Sequence, residues 1–299
     1  MSAVNIDIDP KKIKEKSRPG QIIAEILVML LFIIFMLPFA LVLINAAKGA
    51  KEIVFSPVSL PESWGQMITN IQAIFNNPTV DYTGAFFDSL IITVISLSVI
   101  VFFSSMCAWV LVRNKSKWST FVFLAFVAAM VIPFQVVMFP LVRWLKILGD
   151  AIGLPLLGTY HGIVFAYLGF GCSMSVFILH GFIKGVPLEL EEAATIDGCG
   201  QARTFFEIVL PLLRPAFVTV LILNGIWIWN DFLLPYLVLD LNKYKTISIA
   251  IQYMKGSYGR VDMGAVMAAL ILAVIPVVIF YLACQKHIIK GVAAGAVKG

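Results

Sequence analysis

The chain has 299 residues, of which 60% are hydrophobic and only 13% charged, a balance that sets aside an ordinary soluble domain, which is nearer half apolar and a quarter charged. The net charge of +5 comes without a basic face interleaved with aromatics, which sets aside nucleic-acid binding. Cys107, Cys172, Cys199 and Cys284 form no Cys-x-x-Cys pair, so they read as small apolar side chains rather than a zinc site or a disulfide framework.

A helix of about 20 mostly apolar residues crosses the hydrocarbon core of a bilayer. Six stretches qualify. An N-terminal segment over 1–20 carries Lys11, Lys12, Lys14, Lys16 and Arg18. The first span follows at 26–44 with Pro38 inside it; its apolar run is longer than that of a cleaved leader, so it reads as a retained span. The segment after it contains Trp64 and Phe75 and has room for a short amphipathic helix between them. The second span, 89–112, is uncharged and opened by Asp88; the third, 121–141, contains Pro133, Gln135 and Pro140. The fourth, 160–183, offers Gly169/Ser173 and Gly171/Ser175 for close helix approach, and its His161 and His180 lie too far apart to converge on a metal.

The fifth span, 216–239, is interrupted by Asn224, Asn230, Asp231 and Pro235. A carboxylate within a span costs roughly 2.5–3.5 kcal/mol on insertion scales, so Asp231 is expected to face the bundle interior or an aqueous path. The sixth span, 263–284, has small residues at Gly264/Ala268, Ala265/Ala269 and Ala269/Ala273, and a tail over 286–299 follows. The expected fold class is therefore all-α integral membrane, with a six-helix domain over 21–285. Fourteen of the 22 Lys and Arg residues fall on one side of these spans, which places both termini in the cytoplasm.

The loop over 184–214, between the fourth and fifth spans, is the most informative stretch. Pro187 suits a first helical position, and Glu189, Glu191 and Glu192 complement the positive end of a helix. Gly198 and Gly200 end that helix, glycine accepting the left-handed cap conformation. A second short helix runs from Gln201 to Ile208, and Pro211 starts the next turn toward the membrane. Ala193 and Ala194 mark where another protein's surface can come near, with Leu188, Ile196, Phe205 and Phe206 as apolar anchors beside Glu192, Asp197 and Arg203.

The pattern Glu192-Ala193-Ala194, then Gly198, then Ile208-x-Leu210-Pro211, resembles the EAA signature of ABC importer permeases. Three residues precede the glycine and nine precede the isoleucine, as in that signature. The run from Asn224 through Trp227, Asn230 and Asp231 to Pro235, and the ending Gly295-Ala296-Val297-Lys298-Gly299, look like the carbohydrate-uptake branch, in particular the second permease of maltose-type importers. The resemblance implies the type I ABC importer permease fold in a bacterial inner membrane. It implies a homologous second permease, two copies of a cytosolic ATPase that hold ATP and magnesium, and an extracytoplasmic sugar-binding protein, besides the surrounding lipid. Glu189, Glu192, Ala193, Ala194, Asp197, Gly198, Arg203, Ile208, Leu210 and Pro211 would couple to the ATPase, with the C-terminal tail near it.

This chain has no Walker A sequence and no Gly-Lys dipeptide, so no nucleotide or other cofactor is expected on it. No nucleophile–base pair suggests an enzyme. Asn224, Trp227 and Asp231 recur at i, i+3 and i+7, on one helical face, where polar groups and a ring suit a sugar path; packing between helices explains the same spacing. Gln135 and Ser175 are further candidates for the path. The competing functions are an ion-gradient-driven transporter, which is expected to show internal repeats and mid-membrane carboxylates, and an ABC permease for a solute other than a sugar.

Overall fold

The computed structural model describes residues 19–254 and 262–296, and the side chains through residue 285. Residues 1–18, 255–261 and 297–299 lie outside it, as do the side chains of the tail from 286 onward. The N-terminal segment and the expected approach of the tail to an ATPase therefore fall largely outside the described residues.

The described residues are almost entirely helical. In chain order the helices are α1 (Pro19–Ala46), α2 (Ala50–Phe55), α3 (Gln66–Phe75), α4 (Tyr82–Arg113), α5 (Lys117–Ala129), α6 (Phe134–Ile152) and α7 (Tyr160–Lys184). They continue as α8 (Glu189–Ile196), α9 (Gln201–Thr204), a π-helical turn over Phe205–Val209, α10 (Leu210–Leu212), α11 (Arg214–Asn230), α12 (Leu233–Val238), α13 (Ile247–Met254) and α14 (Met263–Ala296). Four of these are long and apolar enough to cross a membrane, and six crossings result if two sharply bent helix pairs each count as one.

Local chemistry sets the ends. Asp81, Ser116 and Thr159 each accept a backbone N–H with their side chains and so start α4, α5 and α7. Gly153, at φ +70°, ends α6 in the left-handed conformation. Polar side chains also tie down the chain between α1 and α3. Lys48 is fully buried, its ammonium donating to the Ser56 carbonyl at 2.7 Å, while Asn70 donates to the carbonyls of Ala46 and Lys48.

Two predicted spans differ from the structure. The third, expected as one helix over 121–141, is two helices meeting at 110°. α5 stops at Ala129, and Pro133, with ψ 137°, holds an extended kink before α6 runs on through Pro140 to Ile152. Proline lacks the donor that would continue the first helix and disfavours helical geometry in the residue before it. The fifth, expected over 216–239, ends as a helix at Asn230. Asp231 is extended (ψ 131°) and its carboxylate accepts the N–H of Leu233, opening the separate helix α12. A carboxylate that caps locally competes with the helical ladder.

Two apolar clusters hold the bundle together. One joins α4, α7 and α11 through residues such as Ile100, Tyr167, Leu179 and Val220. Its helices come close because Gly171, Ser173 and Ser175 are small; a Cβ on Gly171 would lie 2.6 Å from Ile100 Cδ1 and 2.9 Å from Asn224 Oδ1. The other joins α3, α13, α14 and the start of α4, with Ala265, Ala268 and Ala269 buried in it. There a Cβ on Gly264 would meet the Lys48 carbonyl at 2.5 Å. α1 joins the second cluster through Ala46 at its end, while from Ile22 to Phe39 its large side chains are exposed, as suits a lipid-facing or subunit-facing helix.

At one end of the bundle α4 terminates beside the α8–α9 elbow. At the other, Asp88 accepts from the Tyr160 hydroxyl and from the N–H of Lys245, and Ser89 accepts from the N–H of Ile247. These contacts tie the start of α4 to α7 and to the connector before α13.

Candidate functional site

The elbow begins where α7 stops at Lys184. The Leu188 carbonyl accepts the N–H groups of Glu191 and Glu192, starting α8, whose first turn carries Glu189, Glu191 and Glu192. The end of α8 is a Schellman cap. Cys199 N–H donates to the Ala194 carbonyl at 2.9 Å and Gly198 N–H to Thr195 at 3.0 Å, with Gly198 at φ +83°. Gly200 is extended and precedes α9. The second arm then runs through the π-helical turn and α10, and bends by 73° into α11.

The sequence-derived residues divide between two faces of this elbow. Glu189, Glu192, Ala193, Asp197, Gly198, Arg203 and Pro211 are exposed, while Ala194 is buried and Ile208 and Leu210 half-buried. Thus only Ala193 of the alanine pair lies on the outer surface. Ile196, at 86% exposure, is a large apolar side chain standing at the tip. Arg203 and Glu207 pair one turn apart at 2.9 Å, and hydrogen bonding to that carboxylate holds the guanidinium above its ordinary pKa.

Glu191, which sequence reasoning left out of the site, is the side chain that fastens the elbow. It is 7% exposed, and its carboxylate accepts from Arg113 Nε at 2.8 Å and from Trp109 Nε1 at 3.0 Å, both on α4, with Arg113 Nη2 in ion-pair contact at 2.7 Å. Arg113 also donates to the Val186 carbonyl at 3.1 Å. The Trp109 ring packs on Phe205 of the second arm, with centroids 5.2 Å apart. A cleft of about 660 Å³ opens between Trp109, Arg113 and the elbow, with Glu192, Thr195, Cys199 and Gln201 on its wall. The signal available in the sequence was a lone arginine closing the second span, opposite a loop whose first helical turn carries three glutamates.

A second cavity, of about 580 Å³, lies in the apolar part of the bundle between the α5–α6 corner, α7 and α11. No charged side chain lines it. Trp144 stacks on Phe165 (5.8 Å), Phe134 meets Phe170 edge-on (5.2 Å), and Asn224, Trp227 and Ser173 supply polar atoms or a ring. Asn224 donates to Ser175 Oγ and to the Val220 carbonyl, both at 3.0 Å; Ser175 in turn donates to Gly171. Ser175 therefore stands behind Asn224, not on the cavity wall.

The remaining candidates for a sugar path do not gather there. Asp231 accepts from the Tyr167 hydroxyl at 3.1 Å and caps α12, away from the cavity lining. Gln135 is exposed on α6 and is not on the wall either. Asn224 and Trp227 are thus brought together, while Gln135, Ser175 and Asp231 are not. His161 bonds to the Pro155 carbonyl and His180 stacks on Phe123; among the described residues no three His, Cys, Asp or Glu side chains cluster as metal ligands.

The chain is similar to known proteins over a stretch that includes both regions. The family described as binding-protein-dependent transport system inner membrane component matches residues 100–294. The probable starch degradation products transport system permease protein AmyC of Thermoanaerobacterium thermosulfurigenes is 40% identical over 275 residues, covering 90% of this chain and 94% of AmyC. The diacetylchitobiose uptake system permease protein NgcG of Streptomyces coelicolor is 31% identical, over 91% of this chain and 87% of NgcG. The melibiose/raffinose/stachyose import permease protein MelC of Bacillus subtilis is 35% identical, over 72% and 76%. The crystal structure of a bacterial ABC transporter involved in the import of the acidic polysaccharide alginate superposes with a TM-score of 0.72 at 17% identity, over 89% of this chain and 95% of that one, a likeness of fold.

Proposed function

The chain belongs to the family of inner membrane components of binding-protein-dependent transport systems, and from that membership we propose that it carries an oligosaccharide inward, driven by an ATPase that grips the α8–α9 elbow. It is a multi-pass permease subunit of the carbohydrate-uptake ABC type, a transporter component and not an enzyme. In this reading the elbow and both termini face the cytosol. A pair of ATPase subunits with ATP and magnesium docks beneath them, a homologous permease completes the pathway, and an extracytoplasmic protein delivers the sugar.

The observation that carries the proposal is the elbow itself. Its outer face holds Glu189, Glu192, Ala193 and Ile196 clear of the bundle, while Glu191 and Ala194 turn inward. A mixed acidic and apolar projection of this size suits a cleft on another protein. Closure of the ATPase pair on ATP would move the elbow and switch the pathway from one side of the membrane to the other. The uncharged, aromatic-walled cavity with Asn224 and Trp227 suits a neutral sugar, which a ring can stack on and an amide can hydrogen-bond. A gradient-driven mechanism finds less support, since the Asp231 carboxylate is engaged by the Tyr167 hydroxyl and the Leu233 N–H.

Two measurements test this. Affinity purification of the chain from its own host should retain an ATPase subunit. With Cys107, Cys172 and Cys284 replaced by serine, Cys199 at the elbow should react with a membrane-impermeant maleimide in inside-out vesicles and not in intact spheroplasts. Labelling from the outside would overturn the proposed orientation, and absence of any ATPase would overturn the mechanism.

A further inference from the structure

Both arms of the elbow grip a helix to which neither is directly joined in the chain. The elbow connects α7 to α11, yet Glu191 on the first arm bonds to Arg113 and Trp109 of α4, and Phe205 on the second arm packs on the same Trp109 ring. Phe206 stacks on Phe102, two turns earlier in α4, with centroids 6.2 Å apart. Trp109 therefore touches both arms at once, through its Nε1–H on one side and its ring face on the other.

Packing alone does not call for these residue types. An ion pair whose side chains are only 21% and 9% exposed loses hydration that its mutual attraction has to offset, and apolar residues of similar volume often serve stability as well or better. What the pair and the tryptophan add is direction: two hydrogen bonds to the carboxylate, with the Nη2 ion-pair contact beside them, fix α8 against α4 in one orientation. α4 is suited to receive a push. It runs 32 residues without a proline, whereas α1, α6 and α14 contain one, α5 is bent sharply against α6, and α11 breaks at Asp231. Its far end is fastened through Asp88 and Ser89 to α7 and to the connector before α13.

Resting on the proposed role of the elbow, we propose that Trp109 and Arg113 are positioning residues that lock the last turns of α4 to the elbow, so that elbow displacement is delivered along α4 to the opposite end of the bundle as well as through the two helices joined to it by the chain. Glu191 is the receiving group on the elbow side. α4 and the elbow then move as one body when nucleotide binds.

The test uses the complex purified from the host through a tag on this chain, with spin labels at Leu190 on α8 and Phe103 on α4. Both side chains are exposed. Distances are measured without nucleotide and with ATP plus vanadate. In the otherwise unaltered chain the distance should stay the same in the two states. In Arg113→Ala and in Trp109→Leu it should shift or broaden when nucleotide binds, while Arg113→Lys and the reciprocal exchange Arg113→Glu with Glu191→Arg should restore the single distance. Rescue by the exchange is a result that a merely space-filling role would not give. The proposal is overturned if Arg113→Ala and Trp109→Leu keep the unaltered distance in both states, or if elbow and α4 already separate in the unaltered chain. Should Arg113→Ala not assemble, the exchange decides alone, a restored single distance supporting the lock and an altered one sinking it. Failure of the underlying reading is distinct: no ATPase would co-purify with the unaltered chain.

Discussion

Replacing Gly198 by valine isolates the geometry of the elbow from its contacts. The glycine sits at φ +83°, and a Cβ placed there meets nothing within 4 Å, so the substitution introduces no clash. Its whole cost is conformational: an L-residue in the left-handed region is disfavoured by roughly 1–2 kcal/mol, and a β-branched one by more. The chain can accept that strain, or it can unwind the cap and release the bonds from Gly198 to Thr195 and from Cys199 to Ala194, each with a net worth of about 0.5–1.5 kcal/mol. Either way the folded elbow loses about 1–3 kcal/mol against alternatives, a roughly 5–150-fold drop in its relative population. Gly198→Asn, which tolerates the left-handed region, should lose much less. The assay is the amount of ATPase retained per permease in detergent, together with ATP hydrolysis by the purified complex. If Gly198→Val retains the same ATPase and activity as the unaltered chain, the reasoning that ties this turn to docking is wrong.

Three other outcomes follow from the packing. Trp227→Ala removes a cavity wall and should weaken transport of the cognate sugar by roughly tenfold, of the order of 1–2 kcal/mol for a lost stacking or apolar contact, read as a rise in the half-saturating concentration during vesicle uptake. Gly171→Val overpacks the α4–α7–α11 contact, where even one Cβ would lie 2.6 Å from Ile100; a loss of about 1–3 kcal/mol should appear as a lower melting temperature of the purified chain. Asp88→Ala leaves the Tyr160 hydroxyl and the Lys245 N–H without their acceptor, a cost of about 1–3 kcal/mol by the same assay, with Asp88→Asn falling between because one carbonyl oxygen remains.

Hydropathy and cap chemistry made much of this architecture legible beforehand. The long apolar runs appear as α1, α4, α7 and α14, and Gly198 takes the left-handed cap expected of a helix-ending glycine, while Gly200 is extended. What periodicity does not reveal is where an apolar run stops being one helix. Residues 121–141 are apolar on both sides of Pro133, and hydropathy is blind to a corner between two helices of like composition. Asp231 looked like a member of a helical face because i, i+3, i+7 spacing assumes an unbroken helix; its own capping bond ends that helix first. Glu191 was obscured for another reason. Three glutamates in one first turn all satisfy the helix dipole equally, and only the arrival of Arg113 and Trp109 from 78 and 82 residues away distinguishes the one that turns inward.

The 110° corner at Pro133 also shapes the aromatic-walled cavity. Ala129, Met130, Ile132 and Phe134 form one wall of the inner chamber, and all four flank the kink. The cavity is thus set beside a corner, not in a slot between parallel rods. A different angle there gives the cavity a different width while Asn224 and Trp227 stay on α11, so substitutions at the kink are expected to change its size without touching either side chain.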